Sequence, residues 1–153
     1  MFTLPEENED LIVESDVGFV MPNKVKANFI VSFKYFDIPS HKQLLDDTGK
    51  TEQEKRRLKL YTKLRNTDDK SEEEMAELLD EQFDSELDDC DLELLKEAII
   101  NIEGIKDPKG KVIEYSEEVL ERILRLKQPR IALLEKFTEI HTDEGRKRAR
   151  RKN

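Results

Sequence analysis

Apolar and polar residues alternate most regularly between positions 24 and 36 of this chain. The apolar positions are Val25, Ala27, Phe29, Val31, Phe33 and Tyr35, and the polar ones are Lys24, Lys26, Asn28, Ser32 and Lys34. A period of two places one face of a β-strand against a core and leaves the other face, here basic, toward solvent. Pro22 and Pro39 bracket the predicted strand, and residues 11–20 are its expected antiparallel partner.

After Pro39 the apolar spacing changes to that of amphipathic helices. Three segments match the capping box that marks helix starts, namely Ser40-x-x-Gln43, Thr51-x-x-Glu54 and Ser71-x-x-Glu74. The corresponding helices are expected at 41–47, ending at Gly49, at 52–65, with Leu58, Tyr61 and Leu64 on one side, and at 72–83. A fourth helix is expected at 91–100, with Leu92, Leu95 and Ile99 facing inward.

The last third of the chain predicts a turn, a hairpin and two helices. The segment Asp107-Pro108-Lys109-Gly110 suits a type I turn, so a small hairpin is expected near 102–115. Ser116 is expected to cap a helix that runs to about Lys127, and Pro129 suits the first position of a last helix. The apolar stripes of these helices are Val119, Leu120, Ile123 and Leu124, and then Ile131, Leu134, Phe137 and Ile140.

Strands followed by helices predict a mostly helical α+β fold. We expect one domain over residues 1–144 and a flexible basic tail over 145–153, in a chain of 153 residues. The one cysteine, Cys90, excludes an internal disulfide and fits a reducing compartment. No apolar run approaches the ~20 residues of a membrane span, and the start of the chain lacks a basic-then-apolar leader, so we expect an intracellular protein without membrane contact.

Charge is spread unevenly along the chain, which has 27 basic and 36 acidic residues and a net charge of −9. Residues 68–93 hold fourteen acids and one base, Lys70, whereas 146–152 hold six bases in seven positions. The acidic block is typical of the solvated face of two helices, and the basic block of a solubilising end or of a hook for an acidic protein or nucleic acid. Because no aromatic residue is interleaved with the bases and the net charge is negative, nucleic acid is not the expected partner.

Two segments resemble ligand-binding loops but lack the glycine that each loop needs. Residues 47–51 end like a phosphate-binding loop, with Leu44 where the motif requires glycine. Asp84, Glu86 and Asp88 begin like a calcium loop, with Asp89 at the position of the sharp turn. Neither nucleotide nor calcium binding is expected.

The remaining candidates for chemistry are one cysteine and two histidines. Acids on both sides of Cys90 disfavour its thiolate, so a reactive nucleophile is not expected. His41 and His141 lie near helix ends one hundred positions apart and are expected in surface or capping roles. We predict a non-catalytic protein with no cofactor and no metal.

Residues 98–137 contain several short features whose order along the chain is more informative than any one of them. The features occur in a fixed order. They are an apolar stretch at Ile102, the pair Gly104-Ile105, an Asp-x-x-Gly turn from Asp107 to Gly110, a short apolar strand from Val112 to Tyr115, a helix capped by Ser116, and Pro129 before a final helix. This order resembles the tail assembly chaperones of long-tailed bacteriophages. Residues 27–42, which contain a Phe-Lys pair, resemble the leading strand of that family.

The resemblance implies a non-catalytic phage protein that is made in the host cell cytoplasm and is absent from the mature virion. Members of the family bind the tape-measure protein and recruit tail-tube subunits, and self-association is compatible with that role. They are commonly made in two lengths by a ribosomal frameshift near the end of the shorter product. The candidate contact residues are Ile123, Leu126, Leu133 and Phe137 in the last two helices, and Arg146, Lys147, Arg148, Arg150 and Arg151 in the basic block.

Two alternatives stay open beside this interpretation. The first is a nucleic-acid-associated regulator anchored by its basic tail, and the second is another phage scaffold or assembly component. The four apolar candidates are also expected in the protein's own core, because contact surfaces and cores use the same residue types.

Overall fold

A three-stranded antiparallel sheet and five helices form the described part of the chain, which confirms the α+β prediction. The computed structural model describes residues 1–4, 10–67, 73–74 and 89–142. The strands are β1 (Leu11–Val20), β2 (Lys26–Tyr35) and β3 (Ile99–Glu103), in that order across the sheet. The helices are α1 (Ile38–Asp47), α2 (Lys50–Thr67), α3 (Asp89–Ala98), α4 (Glu117–Leu124) and α5 (Lys127–His141).

Contacts along the chain group it into two units, residues 1–41 with 95–153, and residues 42–94. The first unit contains the sheet, α4 and α5, and the second contains α2. The helices α1 and α3 each contain residues of both units. No composition shift marks the boundaries of these units, so the division was not predicted.

Strand β2 lies at the centre of the sheet and pairs with β1, the antiparallel partner that the sequence predicted over residues 11–20. Val17 pairs with Phe29, and the neighbouring inward positions of β2 are Val31 and Phe33. These three β2 side chains are buried, with at most 6% exposure. Val25 is an exception to the predicted face, since it lies in the turn before β2 and is exposed.

The predicted helix over 91–100 is wrong at its end, because α3 stops at Ala98 and β3 begins at Ile99. Ile99 pairs with Phe33, and Ile102 pairs with Val31 across the sheet. The free energy gained by burying these two branched side chains beside β2 exceeds that of extending the helix by two residues. Strands also favour β-branched residues. The pairing with β2 was not predicted.

The hairpin is present but shorter than the predicted span of 102–115. The amide of Ile113 donates to the carbonyl of Ile105 at 2.9 Å, so the two arms meet at these residues. The predicted turn is confirmed, since the amide of Gly110 donates to the carbonyl of Asp107 at 2.9 Å. Gly110 has a φ of 83°, which a residue without Cβ adopts without strain.

Two of the predicted capping residues, Ser40 and Thr51, do not cap their helices. Helix α1 begins at Ile38, and the Asp37 carboxylate accepts the amide of Ser40 at 2.8 Å. Pro39 is tolerated there because amides in the first turn have no partner within the helix. Helix α2 begins at Lys50, and the Thr51 hydroxyl donates to a carboxylate oxygen of Asp46 at 2.7 Å.

Other helix boundaries follow the sequence more closely. The Ser116 hydroxyl accepts the amide of Val119 at 3.2 Å, which confirms that cap. Gly49, with a φ of 81°, separates α1 from α2 as predicted. The Ser71 cap lies outside the described residues, as does the helix at 72–83 apart from helical residues 73–74.

The junction of the last two helices differs from the prediction. Helix α4 ends at Leu124 instead of near Lys127, and α5 begins two residues before Pro129. Proline is accommodated because it still lies in the first turn. The buried residues of the two helices are Leu120, Leu124, Pro129, Leu133 and Phe137. Ile131, which was predicted to face inward, is exposed.

Candidate functional site

The four apolar contact candidates divide between core and surface. Leu133 is 0% and Phe137 1% exposed, so both pack in the core of the first unit, where a partner cannot reach them. Ile123 is half-buried, and Leu126 is 48% exposed. The five basic candidates between 146 and 151 lie outside the described residues.

Leu126 occupies the sharp corner between α4 and α5. Its backbone is extended, with a φ of −91° and a ψ of 128°, and its amide donates to the carbonyl of Ile123 at 3.0 Å. Its carbonyl accepts the amide of Arg130 at 3.2 Å, so both sides of the corner are fixed. Buried neighbours at Leu124 and Pro129 anchor the two helices while Leu126 remains exposed.

We define the corner patch as the exposed and half-buried apolar and basic residues at and beside the corner between α4 and α5. Its residues are Ile123, Leu126, Ile131, Arg122, Arg125, Lys127 and Arg130. Sequence analysis found Ile123 and Leu126 but not Ile131, because it assigned Ile131 to the buried stripe. The bases were visible in the sequence, although nothing in it indicated that they flank an exposed leucine.

An ion pair links the middle of α4 to the end of α3. Lys96 Nζ lies 2.7 Å from Glu121 Oε1. The hydrogen bond and charge of Lys96 lower the pKa of Glu121, and Arg125 contributes to the same effect. Glu121 is therefore ionised, and the charge of Lys96 compensates its negative charge beside the corner patch.

The two histidines form a ring cluster at another place in the first unit. The His141 ring stacks with His41 at 4.9 Å between centroids and with Tyr35 at 5.1 Å, in planes inclined by 16° and 18°. Phe137 and Phe36 complete the cluster, with centroids 4.3 and 5.8 Å from that of His141. Sequence analysis missed this cluster, because histidines a hundred positions apart carry no local signal of proximity.

Hydrogen bonds to both ring nitrogens fix the state of His141. Nε2 accepts the backbone amide of Phe36 at 3.0 Å, so it is the unprotonated nitrogen. Nδ1 lies 2.9 Å from the carbonyl of Phe137 and therefore donates. With both nitrogens engaged, His141 acts as a structural link between α5 and the end of β2. Burial lowers the pKa of His41 beside it.

The segment that ends like a phosphate-binding loop forms a different structure in the second unit. Thr48 and Gly49 connect α1 to α2, and Lys50 Nζ lies 2.7 Å from Asp91 Oδ1 and 2.8 Å from Gln53 Oε1. The lysine thus ties the start of α2 to α3. The calcium-like run from Asp84 lies outside the described residues.

Over the described ranges, no set of three or more His, Cys, Asp or Glu side chains is placed to hold a metal ion. None of the helices described is both long and apolar enough to cross a membrane.

Comparison with known proteins gives no family: no family model, no curated protein and no solved structure matches this chain.

Proposed function

We propose that this chain is a non-catalytic tail assembly chaperone of a long-tailed bacteriophage. It binds the tape-measure protein and recruits tail-tube subunits in the host cytoplasm. The observation that carries the proposal is that both segments with the family's sequence order belong to one core. Val31 of the first segment pairs with Ile102 of the second. The rings of Phe33 and Phe137 lie 6.2 Å apart.

The surface of the chain is compatible with this task. A long, helical tape-measure protein exposes apolar surface before assembly, and such surface drives aggregation. The corner patch offers Leu126 and Ile131 for contact with it, and the net charge of −9 keeps the complex dispersed. No catalytic group is required for this role.

The proposal includes a longer product made by ribosomal frameshifting. The segment Arg150-Arg151-Lys152-Asn153 is compatible with an A-rich slippery codon run, because Lys and Asn codons begin with AA. Sequencing the gene tests this part. A coding region without a slippery stretch and an overlapping frame removes the frameshift from the proposal.

Affinity purification from cells that express the native gene neighbourhood tests the main proposal. We expect the tagged chain to retain a very long helical protein and a tube-forming subunit at moderate salt. Leu126→Asp should reduce this recovery, whereas Leu58→Asp, at an exposed leucine of α2, serves as the matched control.

Three outcomes would contradict the proposal or its site. Recovery of nucleic acid that is released by salt favours the regulator, and recovery of neither protein removes the chaperone role. Equal loss with Leu126→Asp and Leu58→Asp removes the corner patch as the contact surface.

A further inference from the structure

The corner patch combines exposed apolar side chains with local positive charge. The nine residues from 122 to 130 contain four bases and no acid, in a chain whose net charge is −9. Leu126 is 48% and Ile131 39% exposed. A basic segment with an exposed leucine at its middle position is therefore set within an acidic protein.

The bases of the patch lie on α4, on α5 and in the turn between them. Arg122, Arg125 and Lys127 are exposed, and Arg130 is half-buried. The neighbouring acid, Glu121, forms its ion pair with Lys96 at 2.7 Å. Within the described ranges, no ion pair joins Arg122 or Arg130 to a carboxylate. Their charge is thus available to an outside group.

We propose that the corner patch binds an acidic amphipathic helix of a partner protein. Leu126 and Ile131 would contact the apolar side of that helix, and the surrounding arginines would contact its carboxylates. Apolar anchors with complementary charges are a common way to recognise a helix, and the charges also orient it. This inference names the chemistry of the partner at the patch that the proposed function also uses, and it rests on that function only for the identity of the partner.

The choice of a protein helix over nucleic acid follows from charge and composition. A net charge of −9 opposes the approach of a long polyanion, whereas a short acidic helix meets mainly the local positive field. The patch contains no aromatic residue on which a base would stack. Its exposed centre is aliphatic, which matches leucine and isoleucine side chains.

A designed peptide tests the inference on the full chain. The probe is a labelled helical peptide of about five turns, with leucines on one side and glutamates on the other. Fluorescence anisotropy should give saturable binding that weakens with added salt. A peptide with lysines in place of the glutamates should bind at least about tenfold more weakly.

Matched double charge reversals locate the binding. Arg122→Glu with Arg125→Glu should weaken binding about tenfold or more. Lys109→Glu with Lys111→Glu, on the exposed hairpin, changes the net charge equally and should leave affinity within about twofold. Leu126→Ser tests the apolar centre, with circular dichroism confirming that each variant is folded.

Several results would overturn the inference. These are absence of saturable binding to the folded wild-type chain, equal loss in both double variants, and equal binding of the lysine peptide. A nucleic acid of similar length that competes for the patch more strongly than the peptide would also overturn it. Concentration-dependent self-association that Arg122→Glu with Arg125→Glu abolishes would identify a second copy as the occupant instead.

Discussion

At the scale of single residues, hydrogen bonds at both ring nitrogens constrain the His141 ring in the first unit. Its neutral form satisfies both nitrogens, one from the Phe36 amide at 3.0 Å and one to the Phe137 carbonyl at 2.9 Å. A second ring proton would direct a donor at the Phe36 amide, and two charged imidazoles 4.9 Å apart would repel each other. The cluster therefore depends on neutral histidines.

The first unit should lose stability as the pH falls below the ordinary histidine range. Burial lowers the pKa of His41 from 6.5, so the folded chain binds fewer protons than the unfolded chain. The contribution of neutral His41 to the free energy of unfolding is fully present above about pH 6.5. It decreases as the pH falls toward the lower pKa that His41 has in the folded chain. Urea unfolding between neutral pH and about pH 5 measures this.

An acid near the cluster responds in a lower pH range than the histidines. Tyr35 stacks on His141, and Asp37 caps the helix that carries His41. Hydrogen bonds from Ser40 lower the pKa of Asp37 from 3.8, so its contribution is lost only in stronger acid. His41→Phe, which keeps a ring, should flatten the dependence above about pH 5. A slope equal to that of the wild type would contradict the assignment to His41.

Gly49 carries two separate constraints. Its φ of 81° strains any residue with a Cβ, and an added Cβ would lie 3.2 Å from the sulfur of Cys90. Gly49→Ala should therefore destabilise the second unit by about 1–2 kcal/mol in urea unfolding. Gly110→Ala, at a φ of 83° with nothing within 4 Å, isolates the backbone effect. If Gly110→Ala costs as much, the sulfur contact has no effect.

At the scale of elements, local signals and tertiary contacts compete over the boundaries. The hydroxyl of Ser116 caps α4 by accepting the amide of Val119. The same pattern predicted a cap at Ser40. Instead, the carboxylate of Asp37, three positions earlier in the chain, accepts the amide of Ser40 and caps the helix. Apolar spacing predicted a helix over residues 99–100. They form a strand instead, because they pair with the edge of β2 that β1 leaves open.

Strand β3 can be tested with two isoleucines of the same strand. Ile102 is 2% exposed and faces the core, whereas Ile100 is 36% exposed. Ile102→Ala should lower the free energy of unfolding by about 2–5 kcal/mol, and Ile100→Ala by less than about 1 kcal/mol. Similar losses at both positions would contradict the side assignment of the strand.

At the scale of the whole molecule, the first unit is assembled from both ends of the chain. Residues 1–41 supply β1 and β2, and residues from 95 onward supply β3, α4 and α5. Neither segment contains a complete core, since Val31 and Phe33 pack opposite Ile102 and Ile99. The folding of this unit therefore depends on contacts that are distant in sequence.

A fragment comparison measures this dependence. The isolated segment 95–153 should unfold without a cooperative transition, because the partners of Ile99 and Ile102 are missing. Adding the segment 1–41 should restore near-ultraviolet dichroism or amide dispersion in proportion to its concentration. Cooperative unfolding of 95–153 alone, with the full chain as the control, would contradict the shared core.

The sequence by itself determined the elements whose signals are local. The alternation from 25 to 35 defined β2 and its hairpin with β1, and the Asp107 turn, the Ser116 cap and the break at Gly49 followed from short-range hydrogen bonding and backbone freedom. The tertiary structure alone decided β3, the stack of His41 on His141, and which apolar residues of α4 and α5 stay exposed. These features depend on groups that meet only after the chain has folded, and periodicity cannot distinguish a buried leucine from an exposed one at a helix corner.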